Sequence, residues 1–85
     1  MNIYQPTMHK PVPMGTRVVT TRESGYPAGH EGEVVGICHY HIIFTYIVLL
    51  DRPLESDYGL LRAIPIHGSY IETPDGKNFR LEEGS

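Results

Sequence analysis

From position 42 to position 50 the chain is apolar or aromatic at every residue except Thr45, and no charge interrupts the run. A strand with one face in a core alternates apolar and polar side chains. Here both faces are apolar, with Ile42, Phe44, Tyr46, Val48 and Leu50 on one and Ile43, Ile47 and Leu49 on the other. The β-branched content favours a strand over a helix, and Asp51-Arg52-Pro53 predicts its end, giving a strand over 42–51. One small core can take only one of those faces. The other requires cover from an N-terminal arm, a C-terminal hairpin or a second subunit. Ile43, Ile47 and Leu49 are therefore the expected interface residues.

Elsewhere the pattern is more broken. A first strand is predicted over 16–23 from Val18, Val19, Thr20 and Thr21. Gly25 and Pro27 then open a loop, and Gly29 and Gly32 flank the return into a second strand over 33–38. Gly36 within it marks a bulge or bend. Residues 54–59 read as a loop and 60–66 as a fourth strand, with Pro65 placing its end at an edge or bulge. His67-Gly68-Ser69 fits a short 3₁₀ turn. Pro74-Asp75-Gly76-Lys77 fits a type I turn joining 70–73 to 78–81 as a hairpin. Pro6, Pro11 and Pro13 make residues 1–13 an extended arm, leaving 14–85 as the folded domain.

Length and charge narrow the class. The 85 residues hold one domain, and a chain of that size buries only roughly 60% of its unfolded surface. Cys38 is the single cysteine, which excludes an internal disulfide and fits a reducing compartment. The N-terminal residues show no basic segment followed by an apolar one, and the run over 42–50 is far shorter than the ~20 residues that span a bilayer. A cytoplasmic protein without a membrane partner is expected. Seven Lys and Arg against ten Asp and Glu give a formal charge of -3, and the basic residues are scattered, which disfavours nucleic acid.

Few residues carry chemistry. In Cys38-His39-Tyr40-His41 a strand would turn His39 and His41 to one face, as a chelating pair needs. A third ligand would have to come from His30, His67 or Asp57, and nothing in the sequence places one there. No metal or other cofactor is assigned, and a buried thiol beside two solvent-facing imidazoles is the plainer expectation. No serine sits in a nucleophile elbow, and no helix is predicted that could activate Cys38. Gly25, Gly29 and Gly32 lack the Gly-Lys-Ser/Thr of a phosphate loop. No catalytic residue is assigned. Tyr26, Tyr40, Tyr58 and Tyr70 fall in predicted loops or at strand ends, where with His67 they would form a binding rim.

The stretch from Gly15-Thr16-Arg17-Val18 through Gly29-His30-Glu31-Gly32-Glu33-Val34 resembles the opening of KOW-like and other SH3-like small barrels. Tyr46-Ile47-Val48-Leu49-Leu50-Asp51 would be the third strand. The chain also looks like the small stand-alone barrel proteins of bacteria, phages and mobile elements. It does not resemble a peptide-binding SH3 domain, having no tryptophan. The plasmid-borne dihydrofolate reductases are similar in size and make their site between subunits. Their Val-Gln-Ile-Tyr strand has no counterpart here, where Ala63-Ile64-Pro65-Ile66 is nearest and Gln5 is the only glutamine. The resemblance implies an all-β fold: a single SH3-like barrel of about five strands, with an extended N-terminal arm and a C-terminal β-hairpin. The expected function is a non-enzymatic, homo-oligomeric binding module that engages a protein or small ligand through its loop rim. One alternative is an enzyme or small-molecule binder with an interface site built from His39, His41 or His67. A second is KOW-like nucleic-acid or ribonucleoprotein binding, which needs Arg17, Arg22 and Arg62 to converge.

Overall fold

The computed structural model describes residues 10–40 and 43–80, the side chains of Glu23, His39, Tyr40 and Ile43 excepted. Five strands follow in order: β1 Arg17–Thr20, β2 Glu31–Tyr40, β3 Ile43–Ser56, β4 Gly59–His67 and β5 Ile71–Glu72. A 3₁₀ turn at Arg22–Ser24 follows β1, and a second at Gly68–Tyr70 links β4 to β5. All ladders are antiparallel, in the order β4-β3-β2-β1-β5.

The SH3-like, KOW-like barrel expected from the opening glycine phrase does not form. The all-β class and the five strands hold, but the sheet is open, with β4 and β5 as its two edges and no ladder between them. Two local features account for this. β5 is only two residues long, and Glu72 is bridged by the chain's own Asn78. On β4, Pro65 has no N–H to donate, and its carbonyl accepts the Tyr26 hydroxyl at 3.2 Å. An edge strand can hold proline where a central one cannot.

Strand lengths depart from expectation where a strand survives a bulge. Val34 pairs with Val48 and Gly36 with Ile47, leaving Val35 as the extra residue. Between β3 and β4, Leu49 opposes Ala63 and Leu54 opposes Leu61, so Asp51-Arg52-Pro53 lies within an irregularity rather than at a stop. Pairing resumes beyond it. The expected loop over 54–59 shrinks to the turn Asp57-Tyr58, with Gly59 at φ +111° and the Ser56 hydroxyl accepting from Tyr58 N–H. At the C-terminal end the expected hairpin is reduced to β5 and the isolated bridge Glu72–Asn78. Thr73 N–H to Lys77 C=O closes the turn at 2.8 Å.

The core lies on one face of the sheet. Val18, Val34, Tyr46, Val48, Leu50, Ile64, Ile66 and Ile71 are buried there. The register joins Val34, Val48 and Ile64 in one row across β2, β3 and β4. A lone sheet needs a second layer, and Tyr26, Tyr70 and Phe79 pack onto this face from outside the ladders. Val12 joins them at 2% exposure. Its N–H donates to the Tyr46 hydroxyl at 3.3 Å, while Lys10 N–H donates to the Phe79 carbonyl at 2.5 Å. The end of the proline-bearing arm thus belongs to the core.

Candidate functional site

Because side chains alternate along a strand, the residues of β3 between the buried Tyr46, Val48 and Leu50 face away from the core. These are Ile47 and Leu49, with the exposed Asp51 following just beyond Leu50. The register sets their neighbours. Ile47 lies between Gly36 and Pro65, and Leu49 lies between Glu33 and Ala63. Leu49 is 48% exposed, Ile47 is half-buried, and Val35, Ala63 and Pro65 are exposed. The result is an apolar strip across β3 and β4 on the side opposite the core, with Val35 exposed at the bulge of β2. Of the expected interface residues, the structure puts Ile47 and Leu49 on one face; Ile43 is on β3, with its side chain outside the described residues. Val35, Ala63 and Pro65 were not foreseen. Their signal is the alternation over 63–66, where small Ala63 and Pro65 separate the buried Ile64 and Ile66.

The same face turns polar toward β1. Arg17 forks onto the Asp51 carboxylate, with one of the two bonds at 2.9 Å, and approaches Glu31 at 3.7 Å. The guanidinium hydrogen bond, with its charge adding to it, holds Asp51 below the usual carboxylate range. Asp75 is lowered as well, by the Thr73 hydroxyl and the Lys77 N–H. A carboxylate with a depressed folded pKa binds fewer protons folded than unfolded. Its stabilisation is present above the unfolded value of about 3.9 and is lost as pH falls through the folded value. The melting temperature should therefore fall on acidification below about pH 4, less steeply in Asp51→Asn. Both groups are exposed, so the difference should be small and shrink in high salt. Melting curves across pH at two ionic strengths check this.

Part of the expected loop rim comes together. Tyr26 reaches the Pro65 carbonyl on β4, and the His67 and Tyr70 rings meet in a tilted arrangement, with centroids 5.8 Å apart and planes at 59°. The Ser69 N–H donates to His67 Nδ1 at 3.2 Å, and the Ser69 hydroxyl lies 2.7 Å from the same atom. Since an N–H can only donate, Nδ1 is the acceptor, and His67 caps the 3₁₀ turn. Tyr58 is elsewhere, 98% exposed on the turn after β3. Tyr40 pairs with Ile43 at the opposite end of that fourteen-residue strand, and its side chain lies outside the described residues.

The candidate metal pair is not placed, since His41 and the His39 side chain lie outside the described residues. Among the described residues no group of three or more His, Cys, Asp or Glu could hold a metal ion. The expectation of a buried thiol fails, because Cys38 is exposed. Of the arginines a nucleic-acid surface would need, Arg17 is engaged by Asp51 and Glu31. Arg22 lies on the turn after β1 and Arg62 on β4, strands that are not neighbours. No helix among the described residues is long and apolar enough to cross a membrane. The chain is a small all-β protein without a recognisable catalytic motif. No known protein family, curated protein or solved structure matches it.

Proposed function

We propose that this chain is a non-enzymatic binding module that self-associates through the outer face of β3 and β4. The observation that carries the proposal is the strip of Ile47, Leu49, Ala63 and Pro65 on the side away from the core, with Val35 exposed at the neighbouring bulge. Contiguous exposed apolar surface, rimmed by polar groups, is characteristic of interaction sites. The ion-paired Arg17, Glu31 and Asp51 supply such a rim. A second copy is the simplest occupant, because a two-fold contact sets the same strip against itself. Tyr26, His67 and Tyr70 then form the part of the module offered to a protein or small ligand.

Sedimentation of the purified protein tests this directly. The wild type should show a concentration-dependent dimer. Leu49→Lys removes about 1 kcal/mol of burial from each copy and sets two charges against each other, so Kd should rise on the order of 10²-fold. The variant should still fold, since Leu49 is outside the core. A wild type that stays monomeric at the highest concentration reached, or a Leu49→Lys protein that associates as before, would sink the proposal.

A further inference from the structure

A groove of about 580 Å³ runs over β1 and β5, between the loop after β1 and the terminal turn. Arg22, Glu72, Asn78 and Arg80 line it, with Thr21 and Gly29. Arg80 is held from behind: its Nε donates to the Ser69 carbonyl at 3.1 Å, and its backbone N–H donates to Asn78 Oδ1 at 2.7 Å. Asn78 is fixed in turn through Nδ2 to the Ile71 carbonyl at 3.3 Å. The two terminal nitrogens of Arg80 make no hydrogen bond among the described residues. Among the described residues every ion pair is centred on Arg17. Arg22 and Arg80 therefore share a groove with Glu72 without pairing to it.

Two guanidinium groups without a carboxylate partner among the described residues, one of them tethered through its Nε, suit a planar oxyanion, which they can grip through paired N–H donors. Glu72 decides what else the ligand carries. The described lining holds two positive groups and one negative, so an anion alone gains from Arg22 and Arg80 but is opposed by Glu72. A ligand carrying an ammonium group as well would also satisfy Glu72. We propose that this groove binds a small zwitterion, its carboxylate on Arg22 and Arg80 and its ammonium toward Glu72. The site lies over β1 and β5, apart from the apolar strip on β3 and β4, and does not depend on self-association.

Nitrogen-15 NMR titrations at low ionic strength with glycylglycine, acetate and inorganic phosphate test the assignment. Glycylglycine should give saturable shifts at Arg22, Glu72 and Arg80, with acetate binding several-fold more weakly. Arg22→Gln and Arg80→Gln should each weaken glycylglycine at least tenfold. Arg62→Gln, an exposed arginine on β4, should leave it unchanged. Glu72→Gln should abolish the advantage of glycylglycine over acetate. Should Arg80→Gln lose its fold with its anchor, Arg22→Gln decides, since Arg22 has no side-chain bond to lose among the described residues. Shifts that never saturate, an equal loss in Arg62→Gln, or phosphate binding tighter than glycylglycine would each overturn the proposal.

Discussion

Gly32→Ala should lower the melting temperature by roughly 10–20 °C, as followed by circular dichroism. A Cβ at this position would stand 2.5 Å from the Leu49 carbonyl oxygen and 2.7 Å from Val48 Cγ1. Neither neighbour can yield easily. Leu49 is paired with Glu33 on one side and Ala63 on the other, and Val48 is fully buried in the core. Forcing a methyl into such a site costs about 1–3 kcal/mol or more, and 1 kcal/mol moves the midpoint of a domain this size by about 4–8 °C. Gly36→Ala is the internal control. Its Cβ would meet Ile47 at 3.4 Å, so the cost should stay within about 1 kcal/mol, partly offset by the restricted unfolded chain. A Gly32→Ala protein that melts with the wild type would show that β2 and β3 do not approach this closely.

Gly29 and Gly32 show how far the residues alone lead. Three apart in the phrase that opens the sheet, they look equivalent, yet Gly29 sits at φ +86° in a loop while Gly32 is required for space. A glycine states that a side chain is not tolerated. Whether dihedral angle or neighbour excludes it depends on a strand seventeen positions downstream. The strands of β1, β2 and β3 were legible because β-branched residues cluster there. The true end of β3 was not, because Pro53 reads as a stop unless the partner strand is known to resume at Leu61. Closure of the sheet was misjudged for a related reason. It turns on what occupies each edge, and the bonds from Tyr26 to Pro65 and between Glu72 and Asn78 are tertiary.

The candidate sites follow the same division. That β3 carries two apolar faces could be read from its composition, and the proposed self-association rests on it. The charged rim could not, since Arg17 and Asp51 lie 34 residues apart. Nor could the groove of Arg22, Glu72 and Arg80, which exists only because the terminal turn folds back over β5. Tyrosine content alone implied a single rim, but a strand of fourteen residues separates Tyr40 from Tyr58.

Ile64→Ala should destabilise the fold by about 2–5 kcal/mol, the usual range for emptying a buried isoleucine site. Ile64 is 1% exposed and opposes Val48, which opposes Val34 in turn. The cavity would thus open at the β4 end of the row that spans β2, β3 and β4. β4 is an edge strand laddered to β3 alone, so the site can partly collapse and the cost should fall toward the lower part of that range. Against a total stability of about 5–15 kcal/mol this is a large fraction. The urea midpoint should drop with an unchanged slope. Protein concentration must be held fixed, because association would itself raise apparent stability. Leu49→Ala provides the contrast from the opposite face. It removes a side chain of similar size one residue beyond Val48 on β3, but from a half-exposed position. The monomer should lose less than about 1 kcal/mol, a fraction of full leucine burial, while the dimer weakens. Equal destabilisation by Ile64→Ala and Leu49→Ala, with association unaffected by either, would mean that both faces of β3 are buried within a single chain. The outer strip would then be a second core, and the self-association proposal would fall.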